Sequence, residues 1–93
     1  EDADVDAALK VLTANKFRNA GQVCVSPTRF LVHEKHYDRF VKGFTDFASN
    51  LPVGDGMDQN TKMGPLAHDR RIDAIQGFVN DAVSKGANVL TGG

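Results

Sequence analysis

The sequence predicts an α/β fold built from about three helices and two short strands. Three segments repeat apolar residues at the three- and four-residue spacing of an amphipathic helix, and two short segments carry β-branched and other apolar residues. Helices that alternate with strands are typical of α/β proteins. Two strands are too few for a stable sheet of this kind, and the chain starts without methionine, so we expect a fragment of a larger protein.

The first predicted helix runs from about residue 4 to about residue 18, and Asp2 or Asp4 could cap its N-terminus. The first predicted strand follows at residues 28–32, where the sequence TRFLV is short, β-branched and aromatic. The apolar positions that define the helix are Val5, Ala8, Leu9, Leu12 and Phe17.

The second predicted helix has the strongest amphipathic pattern in the chain, and Pro52 ends it because proline cannot continue a helix. We expect its phenylalanines to form the hydrophobic core. The repeating positions are Tyr37, Phe40, Val41, Phe44, Phe47, Ala48 and Leu51.

Residues 52–68 are interrupted by glycines and prolines and are predicted to form a long loop. A third helix follows, with Asp69 as its candidate N-cap and Gly86 as its C-terminal stop. The second strand is predicted at residues 88–91, with the sequence NVLT. The helical spacing is carried by Ile72, Ile75, Val79, Ala82 and Val83.

The composition is that of a globular domain: 93 residues, 41% hydrophobic, 25% charged, with a formal net charge of -1. Without a basic excess we expect no nucleic-acid partner, and no apolar run approaches the roughly 20 residues of a membrane span. His33, His36 and His68 lack the further ligands that a metal site needs. One cysteine cannot form an internal disulfide, so we expect a reducing compartment, most simply the cytoplasm.

That single cysteine, Cys24, lies in the stretch KFRNAGQVCVSPTRF, which is polar and marked by glycine. A lone intracellular cysteine is most often a small buried hydrophobic residue. Here the preceding residues suit a turn at the end of the first helix, and Gly21 can adopt a positive φ or allow close backbone approach. A cysteine after such a turn could be exposed and surrounded by backbone N–H groups that stabilise a thiolate or an oxyanion.

The segment FRNAGQVC resembles the active-site cysteine motif of the aldehyde dehydrogenase superfamily, with matches at Phe17, Gly21, Gln22 and Cys24. The resemblance extends to EDADVDAA before the motif, to SPTRFLVHEKHYDRFV after it, and to the loop LPVGDGMDQNTKMGPL. Ser26 is a departure, because the family usually has Ala, Gly, Cys or Asn at that position. These motifs imply that residues 1–93 are part of the family's catalytic domain, with most of the cofactor-binding domain absent from this chain.

By this resemblance, Cys24 is the catalytic nucleophile. Its thiolate would attack an aldehyde to form a thiohemiacetal, and hydride transfer to NAD or NADP would leave a thioester for hydrolysis. The general base and the oxyanion asparagine of the family would lie outside this chain, as would most of the cofactor site. Family members are usually homodimers or homotetramers, so we expect one of these assemblies for the intact enzyme, with a small-molecule aldehyde as substrate.

Arg18 matches the position at which succinate-semialdehyde dehydrogenases of this family carry a substrate-binding arginine, six residues before the nucleophile. A guanidinium can hold a carboxylate through two parallel hydrogen bonds. The resemblance therefore implies oxidation of succinic semialdehyde to succinate, although related semialdehyde oxidisers could share this feature. Taken without the motif, Arg18 is a solvated arginine at a helix end.

Two alternatives from other functional classes remain open at this point. The chain could belong to a non-catalytic structural relative of the same fold, although Cys24, Gly21 and Gln22 are all retained. It could also be an unrelated thiol hydrolase that pairs Cys24 with a histidine. A hydrolase needs no nicotinamide, so dependence on that cofactor separates it from a dehydrogenase.

Overall fold

A computed structural model describes all 93 residues and contains three α-helices. Helix α1 spans Val5–Phe17, α2 spans Glu34–Ser49 and α3 spans Arg70–Ser84. A short 3₁₀-type turn, Arg18–Gly21, follows α1 directly. The three predicted helices and the long loop between the second and the third are therefore confirmed.

Side-chain hydrogen bonds cap the N-termini of two helices. Asp4 caps α1, since its Oδ1 accepts hydrogen bonds from the backbone N–H groups of Asp6 and Ala7, each at 3.0 Å. His33 caps α2 through its Nδ1, which accepts from the backbone N–H of Lys35 at 3.2 Å. Asp69 stands at the cap position of α3 as predicted, but its side chain makes no capping hydrogen bond.

Helix α3 ends at the predicted glycine. Gly86 has a φ of 93°, and its N–H donates to the carbonyl of Val83 at 3.0 Å. The N–H of Ala87 reaches back to the carbonyl of Ala82, also at 3.0 Å. These two bonds form the Schellman arrangement, which favours glycine because the left-handed backbone penalises a Cβ.

The core lies between α1 and α2 and is mainly aromatic. The Phe17 ring centroid lies 5.6 Å from those of Phe44 and Phe47, while Phe30 lies 5.0 Å from Phe44 and 5.7 Å from Phe40. Such separations are favourable for aromatic pairs. Of the phenylalanines in the second helix, Phe40 is buried and Phe44 half-buried, as predicted for core residues, whereas Phe47 is 40% exposed.

The two predicted strands, residues 28–32 and 88–91, do not form. Neither segment makes a backbone hydrogen bond, whereas a strand is defined by such bonds to a neighbour. The side chains of the first segment nevertheless alternate, because Phe30 packs against α2 while Leu31 is 100% exposed. The sequence pattern describes a segment suited to a sheet, but this chain provides no strand to pair with it.

The loop between α2 and α3 is closed at its base. Met63 and Lys62 donate backbone hydrogen bonds to the carbonyl of Pro52, at 3.2 and 2.9 Å, and Gly54 donates to Met63 at 3.1 Å. Beyond this base, Asp55 Oδ1 accepts from the N–H of Met57 at 2.9 Å. The excursion is therefore a compact surface loop with adjacent ends.

Helix α3 packs on neither α1 nor α2. Its apolar side chains remain open to solvent: Phe78 is 70% exposed, and Ile72, Ile75 and Val83 are also exposed. None of the three helices is both long enough and apolar enough to cross a membrane.

Candidate active site

Two successive turns carry Cys24. The N–H of Gln22 donates to the carbonyl of Asn19 at 3.0 Å, and the N–H of Ser26 donates to the carbonyl of Val23 at 2.8 Å. Cys24 is the second residue of the second turn, and its side chain is exposed. The alternative of a buried structural cysteine is therefore wrong for this chain.

The first turn is left-handed over three consecutive residues. Asn19, Ala20 and Gly21 have φ angles of 50°, 54° and 77°. A residue other than glycine held in this region costs on the order of 1–3 kcal/mol. Asn19 offsets part of this cost, since its side-chain amide donates to the carbonyl of Gln22 at 3.1 Å.

Gly21 also has little space around it. A Cβ at this position would lie 3.2 Å from the carbonyl oxygen of Lys16 and 3.5 Å from its Nζ. The positive φ favours glycine, as the sequence pattern predicts, and a Cβ would also force the neighbouring carbonyl to shift slightly. The left-handed conformation of Asn19 and Ala20, in contrast, has no signal in the sequence.

Backbone N–H groups around the thiol are free to bind a ligand. The amides of Val23, Cys24 and Val25 donate no hydrogen bond within the chain. The hydroxyl oxygen of Ser26 is buried and also lacks a partner. A carbonyl oxygen that acquires negative charge beside Cys24 would therefore meet unpaired donors, which is the requirement for an oxyanion site.

Arg18 begins the segment that leads to Cys24 and lines a cleft of about 480 Å³ between α1, the end of α2 and the loop base. Phe17, Phe47 and Leu51 contribute its apolar surface, and Lys62 its other positive charge. Cys24 does not line this cleft. The structure thus places the two predicted site residues at the two ends of one folded segment but not in a single pocket.

A second cleft, of about 470 Å³, lies between the left-handed turn and the start of α3. Gln22 of the motif lines it together with His68 and Arg71. Both His68 and Arg71 are more than 40 residues from Gln22 in the sequence. The sequence does not indicate that His68 or Arg71 lies near Gln22, because both contacts arise from packing between distant segments.

The other histidines have local structural roles. His33 caps α2, and the Nε2 of His36 lies 2.7 Å from the carbonyl oxygen of Glu1. The structure contains no hydrogen bond between Cys24 and a histidine, and no group of histidine, cysteine or acidic residues is arranged to hold a metal ion. A thiol hydrolase with a Cys–His pair therefore finds no support in this geometry.

Comparison with known proteins gives a family match over the whole chain. The sequence profile of the aldehyde dehydrogenase family matches residues 1–93. Succinate-semialdehyde dehydrogenase, mitochondrial, of Oryza sativa subsp. japonica is 44% identical over 93 residues, and that of Homo sapiens is 46% identical over 94. Each alignment covers 100% of this chain and 18% of the relative, so the chain spans less than a fifth of their length.

A solved structure shows the same fold. Aldehyde dehydrogenase C of Pseudomonas syringae, crystallised as a mutant with NAD+ and octanal, superposes with a TM-score of 0.88 and 29% sequence identity. The match covers 99% of this chain and 19% of that protein.

The predicted cytoplasmic location is wrong by this comparison, because the relatives carry the name mitochondrial. The prediction failed because a single unpaired cysteine excludes only an internal disulfide. It does not distinguish one reducing compartment from another, and an organelle address is usually encoded in a terminal targeting segment rather than in a globular one.

Proposed function

The chain belongs to the aldehyde dehydrogenase family, and from this premise we propose that the intact protein oxidises succinic semialdehyde to succinate, with Cys24 as its nucleophile. The observation that carries the proposal is the exposed thiol of Cys24 on a turn whose neighbouring amides are unpaired. Residues 1–93 would form part of the catalytic domain. The identity to plant and mammalian succinate-semialdehyde dehydrogenases supports the substrate.

The first chemical step would take place on Cys24. Its thiolate donates an electron pair to the aldehyde carbon, a C–S bond forms, and the C=O π electrons move onto oxygen. The resulting thiohemiacetal oxyanion can accept a hydrogen bond from the free N–H of Cys24 itself. Because the turn fixes this donor before substrate arrives, it needs no reorganisation during the reaction.

By the family resemblance, most of the dinucleotide site would lie outside this chain. No segment here combines a strand, a glycine-rich turn and a helix, which is the unit that holds a pyrophosphate. NAD or NADP would be bound mainly by other parts of the intact protein, where it accepts the hydride. The NAD+ in the Pseudomonas syringae complex supports a nicotinamide cofactor.

Arg18 would orient the substrate. Its side chain is exposed at the end of α1 and forms no ion pair within the chain, so its guanidinium is available to a carboxylate. Succinic semialdehyde has a carboxylate at the end opposite its aldehyde. Holding that carboxylate would direct the aldehyde towards the thiol further along the same segment.

The test is the substrate preference of Arg18→Ala in the intact enzyme. We expect kcat/KM for succinic semialdehyde to fall roughly ten- to a hundred-fold, since a charge-assisted hydrogen bond contributes about 1.5–3 kcal/mol. Butanal, a neutral aldehyde of the same carbon number, should be nearly unaffected. Arg70→Ala is the matched control, because Arg70 is exposed and forms no ion pair. Equal effects on both aldehydes would refute the carboxylate contact.

Turnover that needs no nicotinamide would refute the dehydrogenase assignment itself and favour a hydrolase. The homodimeric or homotetrameric state expected from the family remains a prediction. Sedimentation of the intact protein would test it.

A further inference from the structure

We propose that Lys62 is a second cation for the substrate carboxylate and so determines specificity together with Arg18. This inference rests on the proposed function. Lys62 lies in the loop after α2, far from the cysteine motif in sequence, but its side chain lines the same cleft as Arg18. Nothing in the sequence pattern connects these two residues.

The charged residues that line this cleft are all positive. Its lining includes Arg18 and Lys62 but no aspartate or glutamate. Neither cation takes part in an ion pair within the chain, so both charges are available to a ligand. Two like charges beside one cleft repel each other, and an anion bound between them removes that repulsion.

The rest of the lining suits a short carbon chain. Phe17, Phe47, Leu51 and Pro52 give the cleft a largely apolar wall, against which methylene groups can pack. Cationic groups beside apolar walls favour a ligand with a hydrocarbon body and an anionic end. A short carboxylate with an aldehyde at its other end has this character.

The position of Lys62 is held by backbone hydrogen bonds. Its N–H donates to the carbonyl of Pro52 at 2.9 Å, at the base of the loop, so the lysine is anchored where the loop meets the end of α2. On the opposite side, Arg18 is anchored at the end of α1. The turn closed between Asn19 and Gln22 separates Arg18 from Cys24 along the chain.

Three variants of the intact enzyme test the role of Lys62. We expect Lys62→Met to lower kcat/KM for succinic semialdehyde by about tenfold, mainly through KM, and to leave butanal unchanged, since a charged hydrogen bond is lost only with the charged substrate. Lys62→Arg keeps the charge and should restore the parent value. Lys10→Met is the control, because Lys10 is an exposed lysine outside the cleft and without an ion pair.

A binding measurement complements the kinetics. Succinate, the product, should bind the Cys24→Ala enzyme by calorimetry, and the additional change Lys62→Met should weaken that binding by a similar factor. If Lys62→Met alters both aldehydes equally, or neither, and succinate affinity does not change, the inference is overturned.

The kinetics distinguish this failure from failure of the proposed function. If the parent enzyme prefers succinic semialdehyde and Arg18→Ala removes that preference while Lys62→Met does not, the proposed function stands and Lys62 has no role in it. If the parent has no preference for the charged aldehyde, both proposals fall together.

Discussion

Leu9 of α1 lies directly against Gly43 of α2: a Cβ added to Gly43 would come 2.5 Å from Leu9 Cδ1. No real Cβ contact is that short, so the absence of a side chain at Gly43 lets the two helices approach. The aromatic cluster of Phe17, Phe40 and Phe44 packs between the same two helices. The packing of α1 on α2 thus depends on a glycine inside a helix, where glycine is otherwise unfavourable.

The first prediction concerns this contact. Gly43→Ala should destabilise the intact protein by up to about 2 kcal/mol, because overpacking a close helix contact costs about 1–3 kcal/mol and alanine recovers roughly 1 kcal/mol in helix propensity. Urea unfolding would measure the change in free energy.

Gly77→Ala is the matched control for this prediction, since Gly77 also lies inside a helix but a Cβ there would meet no atom within 4 Å. It should be neutral or stabilising. Leu9→Ala combined with Gly43→Ala should cost less than the sum of the two single changes. Strict additivity would show that the two residues do not interact.

The second prediction concerns the nucleophile. Cys24→Ala in the intact enzyme should lower aldehyde oxidation by roughly a thousandfold or more, since removal of a covalent nucleophile eliminates the step that it performs. Cofactor affinity should hardly change, because we propose that the dinucleotide is held mainly by other segments of the intact protein. NAD(P)H absorbance and cofactor titration give the two readouts. Substantial retained oxidation would remove Cys24 from the mechanism.

The third prediction uses the left-handed turn. Gly21→Ala should impair both folding and activity, since alanine would be strained at a φ of 77° and would crowd the carbonyl of Lys16. Ala20→Gly should have the opposite effect on stability and raise it by about 0.5–1 kcal/mol, because glycine adopts the φ of 54° without strain. Thermal melting of both variants tests the pair, and a shift in the same direction would contradict it.

The fourth prediction is that the isolated 93-residue chain does not oxidise aldehydes. It has the thiol and its amide donors, whereas we propose that the general base and most of the cofactor site belong to other segments of the intact protein. The assay is NAD(P)H formation with succinic semialdehyde, with the intact enzyme as positive control. Turnover near that of the intact enzyme would disprove the assignment of the remaining machinery to other segments.

The helices could be predicted from the sequence because their signals are local. The apolar spacing, the Asp4 cap and the Gly86 stop each act within a few residues, and all three appear in the structure. The predicted strands had an equally good local pattern at residues 28–32, but strands need hydrogen bonds from a distant part of the chain. Secondary structure that depends on a partner cannot be established from its own residues.

The site was predictable to a similar degree. Cys24 and Gly21 belong to one short motif, and the structure gives them the exposure and the positive φ that the motif indicates. Lys62 and His68 approach this region only through the folding of the loop after α2. The left-handed Asn19 and Ala20 were not predicted, since residues other than glycine rarely adopt that conformation.

The closed base of the loop after α2 has a consequence for how this region can vary in length. The backbone bonds between Pro52 and Met63 hold the ends of the loop together whatever lies between them. The entropy of closing a flexible loop grows only with the logarithm of its length, by about 0.6 kcal/mol for each doubling. Insertions near Met57, which is 90% exposed, would therefore extend the tip without moving Lys62 from its cleft. This loop can therefore differ in length between related chains at little cost to the site.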